Sequence, residues 1–387
     1  MKTAIITILL ASFIFPISLK AEQEERLEIV KTDSTDMHQT RTDKGILIEL
    51  VKNVHLRQGK AEMFCDRVSW WKDRGEVVIE NNVRIYDDEK ILFADYVFYY
   101  VEKRIYHARG NVVLKDTVRQ INADQIRYHK LEDLQIADGN VVMDDSQNLV
   151  KIFSGRAEVF NEREYALITD DPVFIKYDST GNEELRITGI KMELFDGGDR
   201  AVVTDSVHIY HKDASASCEI AEFYRKQNEV ILRQNPFVKQ QHDWLRGNLI
   251  HLFFDDDNEL TKVNVKQNAM VQSKVDTLGN DPRMNKLSGE IITMFFENRQ
   301  LRQVDVEQKA TSYYHVVEDD EYKGLNRIIG DKIIVQIKDR KIVHIQIVSR
   351  PQLSEGIFYP SGMEPVEQGN RINGKSTQRE KFSQDIQ

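Results

Sequence analysis

The residues best equipped for chemistry in this chain are a few acidic and histidine clusters. DDDNE at 255–259 is dense enough in carboxylates to suggest calcium. HIYH sets His208 and His211 three apart, and Asp66, Asp95 and Asp124 recur at a fixed step of 29 residues, the regular spacing of a carboxylate row. Each has a plainer explanation. DDDNE lacks the alternating ligands and the glycine of a calcium loop and is expected to be a solvated turn. HIYH is strand-like spacing, and no histidine pair recurs at ligand spacing elsewhere. The repeated aspartates give way to Gly155 and Ile190 in later copies, which suits corner residues that hydrogen-bond nearby backbone. No HExxH, GxSxG, phosphate loop or dinucleotide fingerprint occurs. The expectation is a protein that is not an enzyme and needs no metal or cofactor.

The first residues give an address. MKTAIITILLASFIFPISLKA has one early lysine, an apolar run from Ala4 to Leu19 and a small residue at Ala21, the layout of a cleavable signal peptide over 1–21. The run is too short for a membrane span. The expected location is therefore the periplasm, with possible association with the outer membrane. A net charge of −10 argues against a nucleic-acid partner. The only cysteines, Cys65 and Cys218, exclude a disulfide scaffold.

What positions these residues is a repeat. Asn-Val occurs at Asn53, Asn82, Asn111 and Asn140, always 29 residues on, and the aromatics Trp70, Tyr99 and Tyr128 keep the same step. Later copies drift in length: SGRAEV, TGIKMEL, CEIAEF, GNLIHLF, SGEIITMFF and IGDKIIV. About nine units then run over 45–348, preceded by a flexible lead-in at 22–44 and followed by a mostly disordered tail at 349–387. Within a unit the apolar positions recur every second residue and favour β-branched and aromatic types, so each unit is strand. Short polar segments such as KDT (115–117) and HKLED (129–133) make the turns. Gly-Asn and Ala-Asp corners inside the runs mark bends. The predicted fold is all-β: an elongated antiparallel array folded as an open, twisted β-jellyroll, a V-shaped trough of two sheets. Cys65 and Cys218 occupy matching corners five units apart, about 48 Å at the usual strand spacing, beyond disulfide reach.

The register marks an inner face. Val112 and Leu114 share it with Ile126 and Tyr128; one unit earlier come Val83, Ile85, Val97 and Tyr99, and earlier still Val54, Leu56, Val68 and Trp70. Val141 and Met143 continue it. The intervening Arg67, Ser69, Gln125 and Arg127 are polar, although Tyr96 and Phe98 suggest an exposed apolar spot. These fourteen inward positions are the candidate lining of a lipid groove; the same pattern serves a filled core.

The phrase A-D-x-ϕ-x-Y, a charged turn, then A-x-G-N-V, as in FADYVFYYVEKRIYHARGNVVL and NADQIRYHKLEDLQIADGNVVM, resembles the OstA-like repeat of the LptA family of lipopolysaccharide-transport proteins, also present in the periplasmic domain of LptD. The match is strongest over 53–143. The resemblance implies an open jellyroll that carries lipopolysaccharide, or a related glycolipid, toward the outer membrane with its acyl chains inside a hydrophobic groove. It also implies partners with similar β-jellyroll domains and head-to-tail self-association. PFVK, AMVQ and ATSY depart from the pattern in the last three units, and no transmembrane barrel follows the array. The competing expectation is a non-catalytic envelope scaffold with a filled core and no lipid; a polysaccharide-active β-helix enzyme fits least, because no charged set recurs on the polar faces.

Overall fold

A computed structural model describes residues 26–30, 34–87, 89–275, 283–319, 321–339, 341–350 and 353–365. The expected signal peptide and the end of the expected tail, 366–387, lie outside them. Within them the chain forms 26 strands, with three-residue helical turns at 72–74, 161–163 and 196–198. The strands make one antiparallel meander. The expected all-β architecture is what the chain adopts.

Long neighbouring strands change register where the chain bends, and some pairs, such as Met284–Glu297 with Gln300–Glu318, change again near their turn. Val51 pairs with Arg67 and Val54 with Cys65, so two residues, Lys52 and Asn53, face Asp66 alone. The same break lies between Glu80 and Val83, Arg109 and Val112, and Thr204 and Val207. At these breaks two consecutive residues take left-handed backbone: Lys52–Asn53, Asn81–Asn82, Gly110–Asn111, Gly139–Asn140, Asp170–Asp171, Asp205–Ser206, Gln234–Asn235, Gln267–Asn268 and Gln308–Lys309. Such φ values are tolerated best by Gly, Asn and Asp, which is why the repeat spells Gly-Asn. A two-against-one bulge bends the strand and hands it to a second sheet.

Pairing beyond the bends proves the division. The strand Val150–Phe160 pairs through 156–160 with Tyr165–Thr169 and through 150–153 with Val173–Tyr177. Two leaves therefore meet along a line of creases. The first leaf holds segments such as 67–71, 76–80 and 96–100; the second holds 61–65, 83–87 and 90–94. A single apolar cluster from Leu27 to Val335 fills the space between them.

The creases are braced by side chains. Asn82, Asn111 and Asn140 donate their Nδ2 protons to Asp66, Asp95 and Asp124 at 2.5, 2.9 and 2.9 Å. The aspartates thus hold the neighbouring asparagine rather than the backbone expected for them. Gly110 sits at φ +75°, where an added Cβ would lie 2.5 Å from the Asp95 carboxylate, so the brace requires glycine there. Where the aspartate is replaced by Gly155, its backbone N–H donates to the Asp170 carbonyl at 2.8 Å and takes over the brace.

The array extends past the bounds expected for it. Part of the supposed lead-in is ordered: Glu28–Ile29 adds to the second leaf at Leu56–Arg57, and Asp36–Thr42 adds to the first along 45–51. At the other end Lys341–Val348 closes the first leaf on 332–338, and Glu355–Pro360, from the supposed tail, closes the second on 324–329. Open sheet edges recruit any strand that can pair, and these flanking segments do so.

Candidate lipid-binding interior

All fourteen predicted lining residues face the space between the leaves. Val68, Val97 and Ile126, with Trp70, Tyr99 and Tyr128, lie on the first leaf; Val54, Leu56, Val83, Ile85, Val112, Leu114, Val141 and Met143 lie on the second. Twelve are buried, and Trp70 and Tyr128 are half-buried against the same cluster. Cross-strand pairing aligns them: Leu56 meets Met63, Met63 meets Ile85, Leu92 meets Leu114, and Ile121 meets Met143. Beside each crease a valine meets a small residue, Val54 with Cys65, Val83 with Ala94 and Val112 with Ala123, where the leaves converge. The outer face is wetter, though Tyr96 and Phe98 are half-buried there instead of exposed, Phe98 resting 4.6 Å from Tyr100.

Sequence reasoning missed the polar residues that continue the inward parity to the mouth of the V. After Val54 and Leu56 comes Gln58; after Val83 and Ile85, Asp87; before Leu92, Lys90; before Ile121, Arg119; after Met143, Asp145. Alternation alone could have found them. Tyr106 was also missed, two residues before buried Ala108. It stacks on Tyr99 at 4.2 Å and lies 6.3 Å from Tyr128. Burial raises the Tyr99 hydroxyl pKa and pushes that of Tyr106 well above its usual range. Burial pulls Lys90 down, against the opposing pull of Asp133, Asp87 and Asp116.

The candidate chemical clusters do not assemble. DDDNE is a turn whose Asp255 carboxylate accepts the backbone N–H groups of Asp257 and Glu259 at 3.0 and 2.8 Å. His208 is exposed and His211 buried, on opposite faces of Arg200–His211. Cys65 and Cys218 are free and buried, at equivalent crease positions opposite Val54 and Val207. Among the described residues no group of three or more His, Cys, Asp or Glu side chains could hold a metal ion, and no helix is long and apolar enough to cross a membrane.

Fold and interior together define a creased antiparallel β array with a dry lane between its leaves. A family model of OstA-like proteins matches residues 24–165, and a model of the LptA/LptD N-terminal domain lipopolysaccharide-transport proteins matches residues 120–258. Between them the two models span residues 24–258, and this stretch is OstA-like/LptA-family sequence. Among solved structures it is similar to LptH from Pseudomonas aeruginosa, described as the LptA-homologous periplasmic component of the conserved lipopolysaccharide transport device. That similarity has 19% identity and a TM-score of 0.29, and it covers 38% of this chain and 95% of that one. No curated protein matches.

Proposed function

We propose that the chain is a periplasmic carrier, exported by a signal peptide cleaved near Ala21, that shields the acyl chains of lipopolysaccharide or a related glycolipid between its leaves on the way to the outer membrane. The observation that carries this reading is the continuous apolar lane from Leu27 to Val335 in a chain with OstA-like/LptA-family sequence. Each methylene kept from water is worth about 0.8 kcal/mol, so a multi-chain lipid needs such cover to cross an aqueous gap. The fourteen inward residues are its proposed lining near the N-terminal end. No catalytic step, metal or cofactor is required for shielding.

The two ends suit different partners. The N-terminal edge strand is DMHQTRT, polar and almost wholly exposed. The C-terminal edge strand is KIVHIQIV, with Val343, Ile347 and Val348 exposed. A cleft of about 440 Å³ opens beside it, lined by Glu307, Asp331, Lys332 and Arg350 among others. Such an edge can receive a strand from a similar β domain of another transport protein, or from a second copy head to tail.

Photo-crosslinkers at Leu114, Leu252 and Met294, with outward Arg127 as control, test the carrier reading in cells that make lipopolysaccharide. Labelling at any inward position but not at Arg127 supports it; silence at all three refutes it. One observation favours a scaffold instead: Val97, Tyr99 and Met143 are 0% exposed, so the leaves already fill this stretch by themselves. The same silence would select that reading.

A further inference from the structure

One cross-strand row of the first leaf runs along the inside of the mouth for the whole array. It reads Ile48, Trp70, Val77, Tyr99, Tyr106, Tyr128 and Gln135, and then changes. From Val159 it continues as Ala166, Leu194, Ala201, Phe223, Val230 and Leu252, without a hydroxyl or amide. The facing rim of the second leaf stays mixed, carrying Lys176, His211 and Gln240 between Val150, Leu185 and Ala214 beyond Asp145. Up to Asp145 it alternates in charge, Asp87 opposite Lys90 and Arg119 opposite Asp145, with Asp116 between them.

In that first stretch the rims touch. The Tyr99 hydroxyl donates to Gln58 Oε1 at 2.5 Å, and Lys130 Nζ to Asp87 Oδ2 at 3.2 Å; each bond joins one leaf to the other. Behind them Tyr128 donates to Asp133 at 3.3 Å and Asn161 donates to it at 2.9 Å. Asp133 is buried yet keeps one carboxylate oxygen without a hydrogen-bond partner, a cost that a seam built only for stability would avoid. Farther along, the inner apolar residues nearest the mouth stay half-exposed: Leu252, Phe254, Leu260, Met294, Phe296 and Leu301.

We infer that the mouth is clasped shut over the N-terminal stretch and stands open toward the C-terminal end. Acyl chains enter and rest beside Leu252, Met294 and Leu301 and reach the Val54–Met143 lining only after the Tyr99–Gln58 and Lys130–Asp87 clasp parts. The inference rests on the carrier reading, which supplies the acyl chain as occupant. Its physical basis is the difference between the two seams. Hydrogen-bonded rims can separate in water at small net cost, because water replaces each lost partner. Apolar side chains left half-exposed at an open mouth, as Leu252 and Met294 are, gain from any hydrocarbon that covers them.

The test uses the full chain, purified lipopolysaccharide as probe, and photo-crosslinkers at Met143 and Met294 in wild type and in Tyr99→Phe/Asp87→Asn. Tyr99→Phe keeps the ring stack, so thermal melting should shift little. In wild type Met294 labels and Met143 labels weakly. The double variant removes the Tyr99–Gln58 bond and takes the charge out of the Lys130–Asp87 one, and it raises Met143 labelling by about fivefold or more, the factor carried by one typical net hydrogen bond, with Met294 unchanged. Equal labelling of both sites in wild type, or no rise at Met143 in the variant, overturns the clasp while leaving the carrier reading intact. Silence at both sites overturns the carrier reading and the clasp with it. Maleimide labelling of Val97→Cys without lipid reads the clasp independently: faster reaction in the Tyr99→Phe/Asp87→Asn background is expected, and an unchanged rate refutes it.

Discussion

Replacing Asn111 tests whether the creases are set by backbone conformation. Asn111 holds φ +46° and donates to Asp95 at 2.9 Å from an exposed position. Asn111→Ala loses both contributions. A left-handed alanine costs roughly 1–2 kcal/mol, and an exposed hydrogen bond adds about 0.5 kcal/mol, so the loss should be about 1.5–2.5 kcal/mol. Asn111→Gly loses the bond but keeps the backbone choice, so its loss should be about 0.5–1 kcal/mol. The Ala-minus-Gly difference, about 1 kcal/mol, isolates the left-handed requirement. A stacked array need not unfold in one step, so the assay should be local. Amide hydrogen exchange at Val112 and Ala123, next to the crease, reads the change, with Ile292 as a distant control. Equal exchange in the two variants, or a loosening at Ile292 as large as at Val112, would refute the crease argument.

Burial pushes the Cys65 thiol up to about 12 and Cys218 up to about 11, and only the thiolate reacts. Native protein at pH 8 should therefore resist thiol reagents until unfolded and run alike on reducing and non-reducing gels. Ile347→Lys on the exposed C-terminal edge should weaken head-to-tail association in sedimentation experiments while shifting monomer stability by no more than about 0.5 kcal/mol. Asp178 is held below the usual carboxylate range, first by the Thr180 hydroxyl and then by backbone N–H groups including that of Asn182. Its contribution is complete above the unfolded value near 3.8 and lost as pH falls through the lower folded value. Amide exchange at Asn182 should rise there; a turn equally protected on both sides of that window would contradict the assignment.

The creases were legible because two rules coincide there. Only a few residue types accept left-handed backbone, and a fixed step exposes them as Asn53, Asn82, Asn111 and Asn140. The inner face was legible for a similar reason: alternation places Val112 and Leu114 on one side whatever the neighbours are. The N-terminal edge strand was not. Asp36–Thr42 has no apolar alternation, because an exposed strand at the end of a sheet needs only backbone partners, which sequence pattern does not record. The clasp was hidden differently. Gln58, Asp87 and Lys90 follow the inward parity, but a polar residue beside a turn reads as solvated until the second leaf is seen across from it.

The composition switch between Gln135 and Val159 argues that the lane is more than a uniform core repeated along its length. A core selected only for stability gains from apolar residues at every inward position, and the C-terminal half shows that this fold accepts them: Leu194, Phe223 and Leu252 occupy the row held earlier by Tyr99 and Tyr128. Hydroxyls and charges at the N-terminal mouth must be hydrogen-bonded or they destabilise the fold, so their presence narrows the tolerated sequences without adding stability. What they add is a seam that opens in water. Stacked creased hairpins keep their cross-section however many units are joined, and along such a lane the only means of treating one stretch differently from another is to change the chemistry of its rims.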